Sequence, residues 1–228
     1  RLIRALGDRG DHPEVCIDPD LLPALPGLLR EYEWDVTAVL PTSSQVCALE
    51  RGDTTSKLYG YAVDIGTSKL VGSLVDLSSG ETLNTLFVEN PQLVFGEDII
   101  TRMSYAMKAP DNSVQLKSSV LSAINQLLER SCKLAGIATS QVYELVIVGN
   151  TAMHHFLLGI ESRYLALSPY VPAVKEAINL HAKDLGILAH PHANVRILPL
   201  IAGYVGADAV ADVLASGVME SDELSLLL

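Results

Sequence analysis

Three short runs carry residues that could do chemistry. The first is Asp64-Ile-Gly-Thr-Ser-Lys69. A carboxylate ends one β-rich run, a glycine-containing turn follows, and a second β-rich run begins. Gly66 lets the backbone approach a ligand closely, and the exposed N–H groups of such a turn can bind phosphate oxygens. Asp64 could hold Mg²⁺, usually through water because that ion keeps much of its hydration shell, and Thr67 or Ser68 could add a hydroxyl. An ordinary hairpin turn uses the same residue types, so D-x-G-T alone does not decide. The second run is Gly149-Asn150-Thr151, between an apolar strand and a short helix. Such a junction puts helix N–H groups and the positive dipole end at the C-terminal edge of a sheet. Taken in isolation, a helix cap by Asn150 or Thr151 is the simpler account. The third run is Ala202-Gly203-Tyr-Val-Gly206-Ala-Asp208. Its glycines allow close backbone approach, and Asp208 sits in a first helical turn, where the dipole favours a carboxylate with or without a ligand.

The histidines and cysteines point away from metal or redox chemistry. His154 and His155 are neighbours on a helix and cannot form an i,i+4 metal pair. His190-Pro-His192 reads as a loop with no nearby carboxylate cluster. Cys16, Cys47 and Cys132 lie far apart with no C-x-x-C pair, short of the four ligands that an iron–sulfur cluster takes. They read as buried small apolar side chains in a reducing, cytoplasmic compartment. No dinucleotide-binding glycine motif, Walker A loop or nucleophile elbow occurs.

The elements that must position these runs follow an α/β order. Residues 58–64, 70–77 and 82–88 are β-rich and joined by the 65–68 turn and by Ser78-Ser79-Gly80, which predicts a three-stranded antiparallel meander. A helix is expected over 96–107, with Asp98 and Arg102 paired at i,i+4. Asn112 is the expected N-cap of a long helix whose apolar face is Leu116, Val120, Leu121, Ile124, Leu127, Leu128 and Leu134. Gly136 ends it. Residues 142–148 read as a strand, apolar enough at its end for burial in a parallel sheet. Helix 152–158, strand 195–198 and helix 207–215 follow, the last stopped by Gly217. Residues 160–194 are mixed and Pro-containing. Before the meander, Asp18-Pro19-Asp20 resembles a helix start with a short helix over 21–30 behind it. Strands over 34–40 and 45–50 follow, and the polar 52–56 stretch reads as a linker.

Composition sets the outer limits. The chain has 228 residues, 49% hydrophobic and 19% charged, which excludes a disordered polymer. It is long enough to fold without disulfides or metal. No apolar run is long enough for a membrane-spanning helix. Lys and Arg number 16 against 27 Asp and Glu, a formal charge of -11, and no basic cluster appears. Nucleic acid and anionic membranes are therefore not expected partners. Arg1 is followed by no signal region, and 223–228 reads as the opening of a buried strand, so the chain is expected to be a fragment of a longer protein.

Together these motifs resemble a family. YAVDIGTSKLVGSLVDLSSGETL over 61–83 is similar to the first phosphate loop of the ASKHA superfamily, which includes acetate and sugar kinases, Hsp70 and actin. NPQLVFGEDIITRM over 90–103, VIVGNTAMHHFLLGI over 146–160 and PLIAGYVGADAVADVL over 199–214 resemble, in that order, the ATP-dependent reductive activators of corrinoid proteins. The resemblance implies an α/β fold: an RNase H-like ASKHA lobe preceded by a small α+β segment. It implies that residues 1–55 end a middle, partner-docking domain and that 56–228 form the first ATPase lobe, without the second phosphate loop. Asp64 would be the Mg²⁺-side carboxylate, catalytic together with Asp208. Gly66, Thr67 and Ser68 would contact phosphates. Gly149, Asn150, Thr151, Gly203 and Gly206 would border the same cleft.

The activity so implied is reduction of Co(II) corrinoid to Co(I) on a partner protein of a methyltransferase system, driven by ATP. Its cofactors would be ATP with Mg²⁺ and an iron–sulfur cluster in an upstream domain that is not in this sequence. The chain by itself is expected to carry no bound cofactor, to bind MgATP weakly at most, and to hydrolyse none. A small-molecule kinase of the same superfamily and a non-catalytic docking module remain the alternatives at this point. An unfinished sheet edge also makes a homodimer an open expectation.

Overall fold

A computed structural model describes residues 15–40 and 45–220. The centre is one six-stranded sheet. In chain order its strands are β5 (Tyr59–Ile65), β6 (Lys69–Asp76), β7 (Glu81–Glu89), β8 (Val142–Gly149), β9 (Ile178–His181) and β10 (Asn194–Ile197), and in space they run β7-β6-β5-β8-β10-β9. The meander is present as expected, with β5, β6 and β7 antiparallel. Strand β8 joins it in parallel beside β5, and β10 lies parallel to β8. The C-terminal ends of β5, β8 and β10 therefore meet at one edge.

The expected long helix buries one face of this sheet. It spans Pro110–Ala135 and, after α1 (Leu25–Glu31) and α2 (Ile99–Ala106), is α3. Leu116, Val120, Ile124, Leu127 and Leu128 are buried against Tyr61, Val63, Ile65, Leu70 and Leu74. The alternation along β5 decides which residues those are, because successive side chains point to opposite faces. Tyr61 Oη and Ser131 Oγ lie 3.3 Å apart, which fixes the inward face of β5 against α3. Ala62 and Asp64 then fall on the opposite, open face. At the far end of α3, Ser131 and Cys132 take the inward positions one turn past Leu127 and Leu128, and Leu134 points out, 68% exposed. Gly136 ends α3 in the left-handed conformation, as expected.

The structure corrects several boundaries. The N-cap of α3 is Ala109, with Pro110 in the first turn, where a missing N–H costs nothing. Asn112 instead donates from Nδ2 to Tyr105 O at 2.8 Å. Helix α2 is shorter than expected because Pro91–Phe95 forms a separate 3-10 turn and Asp98 caps α2, accepting from Thr101 N–H at 2.8 Å. Asp18-Pro19-Asp20 is a turn, not a helix start. Asp20 N–H donates to Asp18 Oδ1, and α1 begins only beyond Pro23. The 45–50 run splits between two small sheets, Gln45–Val46 (β3) parallel to Cys16–Ile17 (β1) and Ala48–Arg51 (β4) antiparallel to Val36–Val39 (β2). Trp34 lies outside β2 in a left-handed turn. Helix α4 is Thr151–Leu158, one residue longer at its start than the expected 152–158, and the mixed stretch after it holds α5 (Arg163–Ala166), the edge strand β9 and α6 (Ala182–Leu185). The last helix, α7, is Ala207–Ser216, with Gly217 ending it as expected. The 223–228 run lies outside the described residues. Among the described residues, no helix is long and apolar enough to cross a membrane.

Candidate functional site: a cleft at the sheet edge

All three sequence runs arrive at the same edge. The turn after β5 presents Gly66, Thr67 and Ser68. The start of α4 presents Gly149, Asn150 and Thr151. The loop into α7 presents Gly203, Gly206 and Asp208. The contacts between them are direct. Asn150 Nδ2 donates to Thr67 Oγ1 at 3.1 Å, and Thr151 Oγ1 donates to Ala202 O at 2.8 Å. A Cβ on Gly206 would lie 2.5 Å from both Asn150 Cα and Gly149 O, and one on Gly149 would lie 2.8 Å from Ile65 O. Backbone cannot give way at such distances, so these two glycines let the three segments touch.

Within this cluster the residues divide by exposure. Thr151 is fully buried and its hydroxyl is committed, so it ties the third run to the second. Asn150 caps α4, its Oδ1 accepting from Ala152 N–H and Met153 N–H at 3.0 and 3.1 Å. Thr67 is half-buried and Ser68 is exposed, so the turn faces outward. Gly203 packs against Tyr170 O, which a Cβ would approach at 2.2 Å.

Burial holds the 66–68 turn from behind. Asn90 Nδ2 donates to Gly66 O at 2.8 Å, and Asn90 N–H to Ser68 O at 2.9 Å. Arg102 is 0% exposed and aims its guanidinium at the same turn. Nη2 donates to Thr67 O at 2.7 Å, Nε to Gly96 O at 2.8 Å, and Nη1 to Gln92 Oε1 at 3.4 Å. The expected surface pairing of Arg102 with Asp98 is thereby replaced. Three carbonyl-type acceptors in different directions match the fixed fork of a guanidinium. Desolvation lowers its pKa, and the charge of Asp98 partly opposes that.

The electrostatics of the open face are those of uncompensated carboxylates. Asp64 has its pKa raised, first by partial withdrawal from water and then by the charges of Asp208 and Asp212. Asp208 and Asp212 stand one turn apart on α7, so one helix side faces Asp64. Among the described residues none of the three has an ion-pair partner. Their oxygens do not all come within 4.8 Å of one another, so they do not converge on a point.

Comparison with known proteins places this architecture. Residues 59–221 match the family described as RACo middle region, and residues 1–56 match that described as RACo linker region. The chain belongs to the RACo family. It is 34% identical over 171 residues to the corrinoid activation enzyme RamQ of Eubacterium limosum, which takes in 75% of this chain and 28% of RamQ. A solved reductive activator for corrinoid, iron–sulfur protein matches with a TM-score of 0.87 at 34% identity, over 98% of this chain and 36% of its own. The chain thus spans about a third of the length of these RACo relatives. The lobe has the ASKHA-like α/β fold of that activator, as expected.

Four features of this RACo lobe lie beyond the sequence motifs. Asp212 has a signal, as the i+4 neighbour of Asp208. Asn90 and the true setting of Arg102 have none, because both depend on tertiary burial. His154 is the fourth. It is buried beside Ile65, Gly149 and Ala207, with neither ring nitrogen hydrogen-bonded, and burial pulls its pKa down to about 4. Its neighbour His155 is fully partnered, with Nδ1 2.8 Å from Thr151 O and Nε2 accepting from Ala173 N–H at 3.2 Å. The cysteines do not fit an iron–sulfur cluster. Cys47 and Cys132 are buried in different cores, where desolvation raises their pKa to about 12 and 11, and only Cys16 is exposed.

Proposed function

We propose that this chain supplies the first nucleotide-binding lobe of an ATP-dependent reductive activator, which brings Co(II) corrinoid on a partner methyltransferase-system protein to Co(I). The reading rests on one observation above the others: three separate runs with phosphate-loop chemistry close on one sheet edge. In this reading the outward-facing N–H groups and hydroxyls of Gly66, Thr67 and Ser68 receive phosphate oxygens, and Asn150 sets the turn through Thr67 Oγ1. Gly149, Gly206 and Thr151 act by closing the walls together. Gly203 and Asp208 line the second wall.

The residues present fit MgATP. Asp64, Asp208 and Asp212 raise the local negative charge without a cation of their own, and a hydrated Mg²⁺ would relieve it. Asp64 is the best placed to orient that ion's water, being on the open sheet face at the end of β5. Closing a second lobe over this edge would couple nucleotide state to partner contact. Reducing equivalents would come from a cluster held elsewhere, since this chain offers no ligand set for one. Residues 1–55 would belong to the partner-docking side. The test is ATP-stimulated reduction of a Co(II) corrinoid protein by the full-length activator, followed spectroscopically. Asp64→Ala is expected to lower the ATP-stimulated rate at least a hundredfold while leaving the ATP-independent rate intact. A variant that keeps full stimulation overturns the assignment.

A further inference from the structure

The sequence reading gave His192 no carboxylate neighbours, and the fold corrects this. The turn after β1 delivers Asp18 and Asp20 to the loop before β10. His192 Nδ1 lies 3.0 Å from Asp18 Oδ2, and Nε2 lies 3.6 Å from Asp20 Oδ2. One ligand atom from each of the three residues falls within 4.8 Å of the other two. Among the described residues no other group of three such side chains does so.

Two further observations set this cluster apart from a surface ion pair. Asp18 and His192 are only 7% and 9% exposed, so a carboxylate and an imidazole are withdrawn from water together. His192 Nδ1 is also sealed from solvent and makes no hydrogen bond of acceptable direction, although Asp18 Oδ2 is within reach. A buried polar atom without a partner costs free energy, so a partner that accepts this geometry is favoured. The surroundings supply little else. Lys183 Nζ pairs with Asp20, outside the buried part of the cluster. His190 Nδ1 is already occupied by the His192 N–H, and His181 stands edge-on to the His192 ring at 5.5 Å.

We propose that Asp18, Asp20 and His192 form a site for a divalent transition-metal cation of the zinc type. One imidazole nitrogen and two carboxylates suit such an ion, and the imidazole disfavours Mg²⁺ or Ca²⁺. Ligand atoms on a tetrahedral zinc ion stand about 3.3–3.6 Å apart. The His192 nitrogens lie 3.0 and 3.6 Å from Asp18 Oδ2 and Asp20 Oδ2, so side-chain adjustment completes the set. The ion joins the segment matched as linker region to the lobe matched as middle region. Its role is a staple, independent of the nucleotide cleft.

The test is calorimetric titration of ZnCl2 into the 228-residue chain after treatment with a chelator, with thermal unfolding measured in parallel. One equivalent is expected to bind at micromolar or tighter affinity and to raise the unfolding temperature by about 3 °C or more. His192→Gln and Asp18→Asn are each expected to weaken binding at least tenfold and to remove the thermal shift. Cys16→Ser and His190→Gln are expected to change neither. Failure of the unsubstituted chain to bind zinc overturns the site and leaves a plain histidine–aspartate contact. Binding that survives both His192→Gln and Asp18→Asn overturns it as well. Asp18→Asn, which keeps shape and hydrogen bonding, decides the matter if His192→Gln does not fold.

Discussion

The two walls of the cleft are built differently. The wall formed by the 66–68 turn is bolted from within: Arg102 and Asn90 reach its carbonyls from the buried side, and Asn150 grips Thr67 from the start of α4. The wall formed by the 203–206 loop and α7 is seated from outside. Within α7 only Ala207 is buried, and the wall is held by backbone contacts at Gly203 and Gly206, by the Thr151 hydroxyl on Ala202 O and by Tyr204 Oη donating to Leu165 O at 3.3 Å. An edge of this kind combines a fixed wall with one held more lightly. Rigid preorganisation suits the groups proposed to receive phosphate, whereas low local stability is the common property of elements that move.

The largest expected effect lies on the fixed wall. Arg102→Ala removes a buried guanidinium and leaves Thr67 O, Gly96 O and Gln92 Oε1 without their donor, beside a cavity. The expected loss is about 3–5 kcal/mol, read as the shift in urea midpoint at constant slope. A loss under 1 kcal/mol would dissolve the distinction between the walls. Gly206→Ala comes next. Its Cβ would collide with backbone at Asn150 and Gly149, and the loosely held wall is the one that yields. The expected cost is about 1–3 kcal/mol, with faster hydrogen exchange in α7 and unchanged exchange in β5 and β6. Uniform loss of protection in both would show that the two walls open as one unit. Asn150→Ala is smaller again, about 1 kcal/mol, because it removes one helix cap and a half-buried bond to Thr67.

Local patterns carried much of the fold. The meander, α3 with its glycine stop, β8 and α7 each lie in a continuous run with its own period and turn chemistry, so neighbours in sequence suffice to define them. Strand β9 was missed because Ile178–His181 is a short edge strand of mixed polarity inside a Pro-containing stretch. The convergence of the three runs was legible through family resemblance, and each run alone fitted a plain turn or cap. What could not be read was long-range. Asp98 and Arg102 stand at helix-pair spacing, yet Arg102 turns inward because three carbonyl-type acceptors outweigh one exposed carboxylate. His192 meets Asp18 only because β1 is brought beside the loop before β10, and no periodicity encodes that. The 21–30 helix started late because Asp18 spends its side chain on the turn at Asp20 instead of on a helix end.

The smallest expected effect tests the open face itself. Asp64 has a raised pKa, caused by withdrawal from water and then by Asp208 and Asp212, so the folded state holds its proton more tightly than the unfolded chain does. A carboxyl of that kind favours folding below its ordinary pKa and loses that contribution as pH rises through the folded value. At pH 7 the ionised group therefore opposes folding. Asp64→Asn is expected to raise the unfolding temperature by about 1–2 °C at pH 7, modest because solvent reaches the carboxylate. The gain should fade as the pH drops below about 4, where the carboxyl is protonated in both states. Mg²⁺ at millimolar concentration should narrow the same gap from the other side, by stabilising the unsubstituted chain alone. A variant less stable than the unsubstituted chain at pH 7 would mean that Asp64 has a partner in the fold. The open face would then be no more available to a cation than the buried one.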